Sequence, residues 1–192
     1  MKMWDEKQII EYLKENLKIN RFKHSLGVRD TAEKLAKLYN VNVYNTKIAG
    51  LVHDCAKCMS DEELISIANK NNITIDEVFE ETPNLLHGPV GAVIARDKMG
   101  ISDKDILSAV AYHTTGKEDM TLMEKIIYIA DYIEPGRNFP GVNDIRNDAL
   151  INLDKTLLDC FNNTIKHVIN KGQLLHVNTI KGRNYLIFQY KI

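Results

Sequence analysis

The sequence predicts an all-α fold, a single-domain bundle of helices over residues 1–192. Three observations carry this. Apolar residues recur with helical periodicity almost from end to end. Helix-capping signals punctuate the segments. The 192 residues show no repeats, low-complexity tracts or Ser/Gly-rich linkers, and are enough for one well-buried core.

Each segment follows from its own pattern. Asp5 to Leu17 places Ile9, Ile10, Leu13 and Leu17 on one face, and Phe22 to Tyr39 does the same with Leu26, Val28, Leu35 and Leu38. Tyr44 to Lys57 carries Ile48, Leu51 and Val52, and reads as one helix through AGLVHDCAK. The next segment, SDEELISIANKNN, opens at Ser60 with the Ser-x-x-Glu of a capping box. His87 to Met99, Ser102 to His113 and Thr121 to Ile133 read as three more helices. The Ser102 segment opens with a cap candidate and acidic residues, and Gly116 follows its end. Asp144 to Asn170 reads as a long helix with a break expected near Ala149, ending at Lys171-Gly172. The tail, HVNTIKGRNYLIFQYKI, has strand-like composition, but Asn178-Thr179 can cap a last helix, and a helix is expected. TPNLLH (82–87) and EPGRNFPGVN (134–143) are the irregular stretches; Pro89 sits just inside a helix start, where proline is tolerated.

Bulk properties narrow the function classes. A 44% apolar and 27% charged composition is that of a soluble globular protein, and a net charge of −1 provides no global field for nucleic acid. No leader and no apolar run approaching ~18 residues is seen, so no membrane association is expected. Three cysteines, Cys55, Cys58 and Cys160, fit a reducing cytoplasm better than a disulfide scaffold.

Residues 49–59, AGLVHDCAKCM, superimpose a His-Asp pair on a C-x-x-C. Four histidines sit in helical or helix-end contexts: His24 in RFKHSLGV, His53 in GLVHDCAK, His87 in LLHGPVGA and His113 in VAYHTTG. Singly, each reads as a satisfied histidine on an apolar helix. Asp131, in YIADYIEP, is harder to dismiss, because a carboxylate among isoleucines must be paired or metal-bound. Together, imidazoles and carboxylates suit a divalent metal such as iron, manganese or zinc, held between the helices of a bundle. The C-x-x-C reads as coincidence. A redox pair would sit at a helix N-terminus after a strand, and a structural zinc would want two more nearby ligands.

The order His24, His53-Asp54, Asp131 resembles the HD-domain metal-dependent phosphohydrolase superfamily. RFKHSLGV, AGLVHDCAK, HGPVGA, YHTTG, KIIYIADYIEP followed by Arg137 and PGV, and the terminal GRNYL look like the YqeK-type branch, the bacterial symmetrical bis(5′-nucleosyl)-tetraphosphatases. The likeness runs from about Arg21 to Leu186. It implies a helical HD-type domain that cleaves diadenosine tetraphosphate into two ADP. It also implies nucleotide partners (the substrate, and ADP or a GDP-like diphosphate as product), with a homodimer as an expected assembly.

By this resemblance, His24, His53, Asp54 and Asp131 are the metal ligands, with iron favoured over manganese or another divalent ion. His87 and His113 face the same cavity, either as phosphate contacts or around a second ion. A water activated by the metal supplies the nucleophile, and Asp54 helps orient it. Lys57 is expected on the face of the His53 helix, meeting a phosphate. Arg21 and Arg137 are guanidinium candidates for phosphate, and Thr114 a hydroxyl donor. His24 and Asp131 are expected to border substrate as well as metal. Lys181 and Arg183 are weaker candidates; Val177 stands where family members often carry proline. His167 and His176 lie outside the matching blocks and read as surface or satisfied histidines. The alternative within the superfamily is another nucleotide: a dNTP, a nucleoside monophosphate or an alarmone.

Overall fold

A computed structural model describes residues 2–190. Among them are eleven α-helices and no strand. In chain order these are α1 (Glu6–Asn16), α2 (Ile19–Leu38), α3 (Val43–Val52), α4 (Asp61–Lys70), α5 (Glu77–Glu81), α6 (His87–Asp97), α7 (Lys104–Tyr112), α8 (Leu122–Ile133), α9 (Val142–Asp148), α10 (Leu153–Asn170) and α11 (Val177–Tyr190). A 3-10 turn, Pro83–Leu86, leads into α6.

Local chemistry sets most of the boundaries. Asp5 caps α1 in a reciprocal box with Gln8, Ser60 caps α4 with Glu63, and Thr121 caps α8 with Glu124. Asp103 caps α7, and Asn152 caps α10. After α7, Gly116 takes φ +65°, and a side chain there would also strike the Phe161 ring at 2.5 Å. The tail is the expected helix, but Asn178 and Thr179 lie within its first turn; the His176 ring accepts the Asn178 N–H.

α8 explains the architecture. Its sequence, LMEKIIYIADYI, is apolar on nearly every side, with Ile126, Ile127, Ile129 and Ala130 fully buried. Such a helix must be central. It packs against α2, α3, α7 and α10, while α2 also lies along α3 and α6 along α7. Each fully buried isoleucine contributes about 1.5–3 kcal/mol. Gly88 of α6 permits a close approach to α7: a Cβ there would meet the Ala111 carbonyl at 2.7 Å. No helix among the described residues is long and apolar enough to cross a membrane.

Two expectations are corrected and one is sharpened. The helix read from Tyr44 to Lys57 stops at Val52, and tight turns follow, closed by Cys55 N–H to Val52 O (3.0 Å) and Lys57 N–H to Asp54 O (2.9 Å). Lys57 therefore shares no helical face with His53. The segment from Asp144 to Asn170 breaks near Ala149 as expected, and the break is complete: Ala149–Asn152 turn, and Asn152 caps α10 as a separate helix. A short helix, α5, forms where none was expected, capped by Asp76.

Candidate metal centre

Helix ends supply most of the site. His24 projects from the second turn of α2 and Asp131 from the last turns of α8; His53 and Asp54 follow the end of α3, His87 starts α6, and His113 follows α7. Because α8 packs on both α2 and α7, these side chains meet in one cluster, buried except at the half-buried Asp131.

The first group is His24, His53, Asp54 and Asp131. His24 Nε2 lies 3.0 Å from Asp131 Oδ1, 3.2 Å from His53 Nε2 and 3.8 Å from Asp54 Oδ2. His53 Nε2 lies 3.7 Å from Asp54 Oδ2 and 4.0 Å from Asp131 Oδ1. Donors about 2.1 Å from one ion lie ~3.0 to ~4.2 Å apart, so His24, His53 and Asp131 are spaced to share an ion, and His53, Asp54 and His113 form a second such group.

Ring orientation supports the same conclusion. His53 Nδ1–H donates to Gly50 O (2.8 Å), His113 Nδ1–H to Val110 O (2.7 Å) and His87 Nδ1–H to Asn84 O. A carbonyl only accepts, so each proton is on Nδ1 and each Nε2 presents a lone pair to the centre. His24 Nδ1 is held the same way by Glu134 Oε1 at 3.0 Å. Outward anchoring of one ring nitrogen by a carbonyl or carboxylate is how metal-ligating histidines are oriented. The two Nε2 atoms of His24 and His53, facing each other at 3.2 Å, repel unless a proton or cation lies between them. The donor set therefore fits a divalent ion.

Charge is balanced for the same purpose. Burial pushes the His53 pKa down to about 4, which keeps the ring neutral and ready to coordinate. Burial would raise the Asp131 and Asp54 carboxyls, but it is outweighed. The His24 imidazole and the Arg137 guanidinium beside it hold Asp131 well below the usual carboxylate range. Asp54 is held low as well, where its carboxylate faces the His53, His113 and His87 rings.

Comparison with known proteins decides the family. An HD domain model matches residues 21–136, a span that takes in every residue of the cluster. The chain belongs to the HD domain family. It is 36% identical over 182 residues to a symmetrical bis(5′-nucleosyl)-tetraphosphatase of Halalkalibacterium halodurans, covering 95% of this chain and 97% of that one. A protein of the same name from Staphylococcus aureus is 40% identical over 174 residues, covering 90% and 89%. A crystal structure of a predicted HD superfamily hydrolase involved in NAD metabolism, from Clostridium acetobutylicum, superimposes with a TM-score of 0.96 at 50% identity, over 98% of this chain and 100% of that one.

The HD cluster has a second half. His87 Nε2 and His113 Nε2 lie 3.1 Å apart, and Asp54 Oδ1 lies 3.2 and 3.5 Å from them. Asp54 thus turns one oxygen toward each imidazole pair. Thr114 Oγ1 is within 3.2 Å of both Nε2 atoms. Lys57, although it comes from a turn, still reaches this half: its ammonium sits 3.3 Å from both His87 nitrogens and donates to Asn84 Oδ1 at 3.1 Å. Arg21 lies 3.5 Å from Asp54 Oδ2, and Arg137 grips Asp131 through both its carboxylate and, at 2.8 Å, its backbone carbonyl. A cavity of about 800 Å³ beside His24 is lined by Lys18, Arg21, Lys23 and Arg137.

The structure brings together all ten residues that the sequence singles out for the HD site. It engages Arg183 elsewhere, on Asn162 and Asn184. His176 is buried rather than on the surface, against Phe79 and 3.2 Å from Asp76. Cys55 is buried and Cys58 exposed, both free. Sequence reasoning missed Glu134, buried, anchoring His24 through one oxygen while the other accepts the Gly136 N–H at 2.6 Å. The available signal was an acid directly after the most apolar helix. It also missed Arg146, which donates to the Ile133, Glu134 and Arg137 carbonyls and so holds the loop carrying Glu134 and Arg137.

Proposed function

We propose that this chain hydrolyses dinucleoside tetraphosphates symmetrically, diadenosine tetraphosphate and water giving two ADP. The observation that carries this is the juxtaposition of buried His/Asp groups able to hold a metal ion with a rim of cations suited to a polyphosphate. The H. halodurans and S. aureus relatives, named for this activity and aligned over most of their length, support the substrate.

In this reading His24, His53, Asp54 and Asp131 hold one divalent ion, with iron favoured. Bound there, the ion supplies Lewis acidity toward water and phosphate oxygens. Each protein residue has its own task. Glu134 and Gly50 fix the two imidazoles. Arg21 and Arg137 neutralise phosphate charge and orient the chain in the 800 Å³ cavity. His87, His113, Thr114 and Lys57 contact the phosphoryl group next to Asp54. This half suits a phosphate better than a second ion: it has no carboxylate of its own, and an ammonium lies 3.3 Å from His87. The Thr114 hydroxyl and the Lys57 ammonium, which lie against these imidazoles, donate to a phosphate oxygen here.

Thr114, Glu134 and Arg137, from the YHTTG and IEPGR blocks, all touch the centre, which favours the dinucleoside substrate over a dNTP, a nucleoside monophosphate or an alarmone. We place the enzyme in the cytoplasm, consistent with its three free cysteines. Product analysis tests the reading. Two ADP from diadenosine tetraphosphate is the expected result, ATP plus AMP overturns it, and NAD, with two phosphates between its nucleosides, is the control that should survive.

A further inference from the structure

Asn84 precedes the HGPVGA block and belongs to none of the motifs that mark the site, yet both of its oxygens act on the phosphate half. It sits in the 3-10 turn Pro83–Leu86, where proline at the first position restricts the backbone. Its carbonyl accepts the His87 Nδ1–H, and its amide oxygen accepts from the Lys57 ammonium at 3.1 Å. Two groups that arrive from different segments, the turns after α3 and the start of α6, are thus fastened to one residue. Behind the turn, Asp76 caps α5 through one oxygen, and its other lies 3.2 Å from the buried His176 Nε2, just before α11.

The approach of Lys57 to His87 is not a second hydrogen bond of this kind. The ammonium is 3.3 Å from both ring nitrogens, which places it over the ring face, and Nδ1 is already committed to the Asn84 carbonyl. Contact with a ring face sets no direction for an N–H. Among the described residues, Asn84 Oδ1 is therefore the one conventional acceptor for this ammonium. A lysine stem is flexible and its ammonium carries three donors. Fixing one of them on Asn84 selects a rotamer and leaves two for a phosphate.

We propose that Asn84 is a positioning residue for the hydrolysis, setting the Lys57 ammonium and the His87 imidazole as one unit against the phosphoryl group. The inference rests on the tetraphosphatase reading and deepens it. Asn84 is itself exposed, so its side chain can be removed without opening a cavity. His87 is held by the backbone, so that removal isolates the hold on Lys57.

The test is a double-mutant cycle on kcat/KM for diadenosine tetraphosphate, with Asn84→Ala, Lys57→Ala and the two together. Asn84→Ala is expected to lower kcat/KM about three- to tenfold, the scale of one hydrogen bond to a charged group, with Tm unchanged. In the Lys57→Ala background the same change should cost less than about twofold, because the group it holds is gone. An equal loss in both backgrounds, which a merely structural role would give, overturns the assignment, as does no loss in the presence of Lys57. The same cycle on inorganic pyrophosphate binding to the metal-loaded protein, by calorimetry, should show the same coupling. Failure of the wild-type protein to cleave diadenosine tetraphosphate would refute the functional reading instead, while the pyrophosphate cycle still decides the role of Asn84.

Discussion

Asp54 shows how much one side chain can do when each of its oxygens faces a different imidazole pair. Its environment depends on small supports, and Glu134 is the sharpest example. Glu134→Gln keeps the shape but weakens the hold on His24 Nδ1. A loss of about 10–100-fold in metal affinity or activity is expected, read by competition with a chelator. His53 gives a pH signature. Its pKa falls from the ordinary 6.5 to about 4 on folding, so the unfolded chain binds a proton that the folded one refuses. The metal-free protein should therefore lose stability as pH drops from 6.5 to about 4. His24 acts oppositely: burial alone would lower its pKa, but hydrogen bonds to Asp131 and Glu134 raise it, so its contribution is full below 6.5 and lost as pH rises through the folded value. His53→Asn should flatten the dependence of Tm on pH across that acid window; an unaltered slope would refute the assignment. The cysteines separate cleanly. Burial pushes the Cys55 thiol up to about 12, so a thiol reagent should label Cys58 alone in the native state, and Cys58→Ser should leave hydrolysis unchanged.

Among the elements, the loop between α8 and α9 matters most. Arg146, from α9, donates to three of its carbonyls at 2.8–2.9 Å. Arg146→Met leaves those acceptors without their charged donor, and a loss of about 1–3 kcal/mol in unfolding free energy is expected in denaturant titrations, with weaker metal binding because Glu134 is freed. How far elements were legible follows from what encodes them. Helices α1, α4, α7 and α8 combine periodicity with local caps, and both signals are written within a few residues. The end of α3 is not: the apolar pattern runs on through His53, and only the tight turns that aim His53 and Asp54 at distant helices break it. Lys57 was therefore assigned the right neighbourhood from the wrong geometry. Helix α5 is too short for a period to show. Glu134 and Arg146 act on residues or carbonyls that no local pattern links to them. The proposed metal ligands could be named from the sequence because family motifs mark them, not because their spacing reveals a cage.

Across the whole molecule, the centre ties α2, α3, α6, α7 and α8 into one unit. An ion that binds only the folded state stabilises it by mass action, by about 2.7 kcal/mol at a free concentration 100 times its dissociation constant. For a chain of this size that is a rise in Tm of roughly 5–10 °C. Asp131→Ala should abolish most of the metal-induced rise, and the metal content of the native protein should be one ion per chain; two would assign an ion to His87 and His113. The bond from His24 to Glu134 spans 110 residues. A nascent chain that has produced His24, His53 and Asp54 but not yet Asp131 and Glu134 has neither the fourth donor nor the anchor of the first. In the proposed reading, loading of the ion therefore waits until Asp131 and Glu134 have been made, so the ion cannot guide the folding of the first two-thirds of the chain.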